Sequence, residues 1–92
     1  RVMVEAMAHG LPVVAAASAG ARDIVLHDAT GLLFPIGDVT GLVASVRRLA
    51  QDVALRTTMG TAARQRAETL FSLEAHMRNI NTVWNAAVAS RR

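Results

Sequence analysis

Seven acids and three histidines are the side chains of this 92-residue chain that could carry acid, base or ligand chemistry. Most have a plain structural use. His9, His27 and His76 lie far apart and lack metal-ligand spacing, so surface or capping roles suffice. Asp23 and Asp28 stand five apart around a turn, where capping fits better than paired acid and base work. Glu5 is different, because it sits in an apolar run, Val2-Met3-Val4-Glu5-Ala6-Met7-Ala8, on what reads as a short helix. The default for a single glutamate is an exposed helix face. No Gly-rich phosphate loop, Walker-type loop or G-x-S-x-G elbow accompanies it.

The elements that must position Glu5 follow from local patterns. His9-Gly10 supplies a helix stop, and Leu11-Pro12 cannot continue the helix. Pro12 to Ala16 is an unbroken apolar run and reads as a buried parallel strand. Ala17-Ser18-Ala19-Gly20-Ala21 then forms a small-residue loop at the carboxyl end of that strand, the edge where open α/β sheets bind ligands. Close backbone packing explains such residues equally well. Arg22 to Leu26 reads as a helical turn, His27 to Gly31 as a turn, and Gly31 to Phe34 as a second strand.

Asp38 is a candidate N-cap for a helix whose apolar face is Val39, Leu42, Val43, Val46, Leu49 and Ala50. Asp52 caps the next, carrying Leu55, Met59, Ala62, Ala63, Ala67 and Leu70, with Gly60 a kink or local break. Phe71-Ser72 marks its end. Ser72 caps a last helix with a stripe of Leu73, Met77, Ile80, Trp84 and Val88.

Composition bounds the whole. A hydrophobic fraction of 52% argues against disorder, and the length allows at most one small domain. Two strands are fewer than the roughly four to six usual in a sheet. Arg1 is no initiator and no capping residue precedes the first helix, so the chain reads as a C-terminal fragment. Ten arginines against seven acids give a net charge of +3, which raises the question of nucleic acid. With one Trp, two Phe and no Tyr there are no stacking platforms, so solvated helix faces are expected and nucleic acid is not. Cysteine is absent, fitting a reducing compartment. Glu5, His9 and Pro12 spoil a signal-peptide reading, and the apolar run from Gly10 to Ala21 falls short of the roughly 20 residues of a membrane span. A cytoplasmic setting is expected, with any peripheral membrane contact left to parts outside this segment.

A resemblance runs over nearly the whole chain. Arg1 to Ala15, RVMVEAMAHGLPVVA, resembles the core signature of the group 1 (family 4) retaining glycosyltransferases. Ala19-Gly20-Ala21-Arg22-Asp23-Ile24-Val25 is similar to the family's G-G-x-x-E-I-V, and Thr30 to Asp38, TGLLFPIGD, to its T-G-L-L-x-P-x-G-D. Leu55-Arg56, Met59-Gly60, Ala63-Arg64 and Phe71-Ser72 follow in order. Ala19-Gly20 replaces the Gly-Gly pair and Arg22-Asp23 the commoner Pro-Glu, which weakens residue-by-residue transfer to that loop.

The resemblance implies an α/β chain forming the C-terminal part of a Rossmann-like GT-B donor domain. Residues 1–38 would hold the signature helix, strands and loops, and residues 39–92 the C-terminal helices. Glu5 matches the second glutamate of the family's Glu-x7-Glu, associated with the ribose hydroxyls of a nucleotide-diphosphate sugar. The first lies outside this chain. Arg1 and Val2 match positions beside the turn whose amides meet the diphosphate. No catalytic residue is identifiable. The leaving diphosphate would be stabilised by amides and basic residues, with no cofactor and no obligatory metal. An N-terminal acceptor domain is missing, so the fragment alone is expected to be inactive and its last helical stripe free to self-associate. The competing expectation is a non-catalytic nucleotide-sensing or protein-interaction module.

Overall fold

The computed structural model describes the backbone of residues 2–90 and the side chains of residues 2–80. Its elements are α1 (Val2–Ala8), β1 (Val13–Ala16), α2 (Ala19–Ile24), β2 (Gly31–Phe34), α3 (Val39–Gln51) and α4 (Val53–Ser90). β1 and β2 pair in parallel, Val13 opposite Gly31 through Ala16 opposite Phe34. Glycine is required where β2 begins. A Cβ on Gly31 would overlap the Val13 carbonyl oxygen and stand 2.9 Å from Val25 Cγ1.

Short polar side chains start the helices. Ser18 Oγ accepts from the Ala21 amide at 3.1 Å, so much of the expected small-residue loop is the first turn of α2. Asp38 Oδ1 accepts from the Gly41 amide and Asp52 Oδ1 from the Leu55 amide, each at 2.9 Å, as expected.

The core has two parts. Val4, Met7, Ala63 and Ala67 form one, and Leu32, Leu49 and Met59 the other. Met59 and Ala63 are one turn apart on α4, so that helix joins the two. Strand β1, expected buried, is half-buried along its length and begins at Val13 rather than Pro12. Among the described residues it pairs with β2 alone, so no strand lies on its other edge.

Two expectations about the helices are corrected. Phe71-Ser72 does not end a helix; α4 runs through both as 38 continuous residues. A serine can cap a helix but cannot stop one, and Leu73, Glu74 and Ala75 are good helix formers. Nor is Gly60 a break. It lies inside α4 at a close contact with Gly10, described below. The apolar face of α3 has the expected period, yet of that set only Leu49 is buried. Val39, Leu42, Val43 and Val46 are exposed. In the terminal stripe Leu73, Met77 and Ile80 are exposed, while Trp84 and Val88 lie outside the described side chains.

The turn before β2 is held by its own side chains. Thr30 is buried and its Oγ1 accepts from the Leu26 amide at 2.9 Å, while Asp28 takes a left-handed φ of 65°. His27 Nδ1 accepts from the Leu33 amide of β2 at 2.9 Å, tying the turn to the strand. Asp28 Oδ1 meets Arg48 Nη1 at 2.7 Å, tying the turn to α3. The Arg48 hydrogen bond, aided by the charges of His27 and Arg48 against a smaller desolvation cost, holds the Asp28 carboxyl below the usual aspartate range.

A carboxylate with a depressed folded pKa adds stability above its unfolded pKa and loses it as pH falls through the folded one. Thermal melts over a pH series should therefore show the gap between wild type and Arg48→Ala widest near neutrality and closing in acid. A gap independent of pH would remove this role for the pair.

Candidate functional site

Helix α1 carries Glu5, and its lower end is built as a tight reversal. The Gly10 amide donates to the Met7 carbonyl at 2.9 Å and the Leu11 amide to the Ala6 carbonyl at 3.2 Å, with Gly10 at φ 75°. This is the Schellman pattern that glycine favours. Pro12 follows, and the chain returns as β1. The reversal sets the first turn of α1 beside the carboxyl end of the strands, where ligands of open α/β sheets sit.

One face of α1 is anchored. Val4 and Met7, three apart, are buried against Ala63 and Ala67 of α4, with Ile24 and Leu70 packed around them. Glu5 lies off that face and is exposed. Its carboxylate therefore projects from a helix whose other side is fixed. Val2 opens α1 and is also exposed, and Arg1 lies outside the described residues. Ala19 and Gly20 are exposed beyond β1, and a Cβ on Gly20 would meet nothing within 4 Å among the described residues, so close packing against those residues does not explain that glycine.

Positioning residues that sequence reasoning did not single out are two arginines of α4. Arg56 Nη1 donates to the carbonyls of Leu49 and Ala50 at 2.7 and 2.9 Å, closing the end of α3. Arg66 reaches the Asp23 and Ile24 carbonyls at 2.8 and 3.3 Å, closing the end of α2. Guanidinium groups suit helix C-termini, where orphan carbonyls carry partial negative charge. These two arginines are clamps rather than the solvated charges expected. A cavity of about 450 Å³ lies between the α1 reversal and α4, lined by Pro12, Arg56, Thr57, Gly60 and Arg64 among others. It adjoins Gly10 and so lies at the opposite end of α1 from Val2.

The geometry can now be set beside known proteins. Residues 1–66 match the family model described as glycosyl transferases group 1. The chain belongs to that family. Among group 1 relatives, the sulfoquinovosyl transferase of Arabidopsis thaliana is 40% identical over 90 residues, which is 95% of this chain and 18% of that protein. The N-acetyl-alpha-D-glucosaminyl L-malate synthase of Bacillus anthracis is 31% identical over 84 residues, 91% of this chain and 22% of that protein. A solved structure, sucrose-phosphate synthase from Thermosynechococcus elongatus, superposes with a TM-score of 0.82 at 35% identity, covering 97% of this chain and 22% of that one. The α/β arrangement of two parallel strands and flanking helices is thus shared with a GT-B enzyme. The chain spans about a fifth of the length of these relatives. Among the described residues no helix is long and apolar enough to cross a membrane.

Proposed function

We propose that this chain is the C-terminal end of the donor-binding domain of a retaining glycosyltransferase, residues 1–38 holding the signature elements and residues 39–92 the closing helices. The enzyme moves a sugar from a nucleotide-diphosphate donor to an acceptor bound mainly by a domain outside this chain. Glu5 holds the donor ribose, its ionised carboxylate accepting both hydroxyls in charge-assisted bonds. Arg1 and Val2 lie on the diphosphate side, and the leaving group is stabilised by amides and basic residues. The observation that carries the reading is the exposed Glu5 on an anchored helix, within a segment that matches the family model.

Several features support the wider picture. The matched stretch is about a fifth of the sulfoquinovosyl transferase and of the malate synthase, and among the described residues β1 pairs with β2 alone. The exposed stripe of Leu73, Met77 and Ile80 is the surface proposed to meet the acceptor domain, and in the isolated chain to drive self-association. A cytoplasmic setting is proposed as well, which the absence of cysteine fits.

The deciding experiment supplies the intact protein with a panel of nucleotide-diphosphate sugars and candidate acceptors. Glycosyl transfer with release of nucleoside diphosphate is the expected result, and the isolated segment should give none. Binding of nucleoside diphosphate by the intact protein without transfer to any acceptor would instead support a nucleotide-sensing module.

A further inference from the structure

The reversal that ends α1 is pressed onto the backbone of α4 at Gly60. A Cβ built on Gly60 would overlap the Gly10 carbonyl oxygen and lie 3.2 Å from the Gly10 carbonyl carbon and 3.7 Å from Pro12 Cδ. The group in the way is main chain, so no side-chain rotation relieves the overlap. The reverse substitution meets more room: a Cβ on Gly10 would stand 3.8 Å from the Gly60 carbonyl oxygen. The tight surface therefore belongs to α4.

The same ledge continues along that helix. Ala63 and Ala67 are fully buried in the cluster that holds Met7 and Val4. Leu70 and Phe71 line a cavity together with Val4. Contacts advance from Gly60 to Leu70 on α4 as they retreat from Gly10 to Val4 on α1, so the two helices run antiparallel. Three small residues, Gly60, Ala63 and Ala67, set how deep α1 lies.

We propose that Gly60 is a positioning residue for donor binding: by admitting the Gly10 turn to its backbone, it fixes the depth and tilt of α1 and so the place where Glu5 presents its carboxylate. This inference rests on the ribose reading of Glu5. It assigns a role to a residue that touches no donor atom. Helix α1 has seven residues, and a unit that short moves as a rigid rod. Glu5 stands three residues before Ala8, where the helix gives way to the Gly10 reversal, a lever of about 4.5 Å at 1.5 Å per residue. A methyl wedge at one end thus displaces the carboxylate at the other. A misplacement of about 1 Å can cost as much as ~100-fold at a positioned group.

The test measures donor KM, kcat, thermal stability and affinity for UDP, GDP and ADP in the intact transferase for Gly60→Ala, Glu5→Ala and the double variant. Gly60→Ala should raise the donor KM and weaken the best-bound nucleoside diphosphate about tenfold, leaving the acceptor KM unchanged. In the Glu5→Ala background the same change should weaken binding several-fold less than in wild type, since only the diphosphate side of α1 remains to be misplaced. Lower stability with wild-type donor KM and nucleotide affinity would overturn the proposal, as would an equal penalty in both backgrounds. Ala63→Val wedges the ledge one turn on and carries the same expectation; if Gly60→Ala does not fold, an unchanged donor KM in folded Ala63→Val overturns it. An unaltered donor KM in Glu5→Ala alone would remove the ribose reading instead.

Discussion

Met7→Ala should lower the unfolding free energy by about 2–5 kcal/mol, the usual loss when a buried methionine is cut to alanine. Met7 is fully buried in the contact between α1 and α4, where it packs with Val4, Ala63 and Ala67. Two of these neighbours are alanines on a rigid helix, so they cannot lean in to fill the space. The cavity term is therefore added to the lost transfer energy. Against a total stability of roughly 5–15 kcal/mol this is a large share. Val53 is the internal control, an apolar residue at the start of the same long helix but about two-thirds exposed. Val53→Ala should change stability by no more than about 0.5 kcal/mol. Urea unfolding checks both, with the midpoint shifting and the slope held. Equal effects at the two positions would mean that α1 is not anchored as described.

The second large effect falls on binding. If the proposed donor site is right, Glu5→Ala in the intact protein should raise the donor KM and lower kcat/KM by about 10- to 150-fold, corresponding to about 1.5–3 kcal/mol for hydrogen bonds to a charged group. Stability should barely change, because Glu5 is exposed and lies off the face of α1 that packs on α4. That contrast with Met7 is the point. Two residues apart on one short helix, one side chain holds the helix in place and the other is presented to solvent. An interaction made equally in ground and transition states raises KM with kcat unchanged, and a ribose contact remote from the reacting carbon is expected to behave so.

Much of this arrangement is legible in local chemistry. Gly10 as a stop, Asp38 and Asp52 as caps, and the two apolar runs that pair as β1 and β2 each depend on a few neighbouring residues. Glu5 is a candidate site residue on a different ground. Glu5 interrupts an apolar run, but its role came from the resemblance of Arg1 to Ala15 to a family signature rather than from periodicity. What local patterns miss is tertiary. Gly60 looks like a helix break until Gly10, fifty positions earlier, is seen against it. Arg56 and Arg66 look like solvated charges until the ends of α3 and α2 meet them. Ser72 looks like a cap because serine caps well, yet no glycine or proline stands beside it to end the preceding helix.

The central claim is that the Glu5 carboxylate holds the ribose hydroxyls of the donor. It is tested most directly by titrating the intact protein and its Glu5→Ala variant with the best-bound nucleoside diphosphate and with its 2′,3′-dideoxy counterpart. The account predicts that removing the hydroxyls weakens binding to wild type by about tenfold or more, and that the variant binds both nucleotides with the same reduced affinity. A variant that still discriminates between the two nucleotides as wild type does would contradict it.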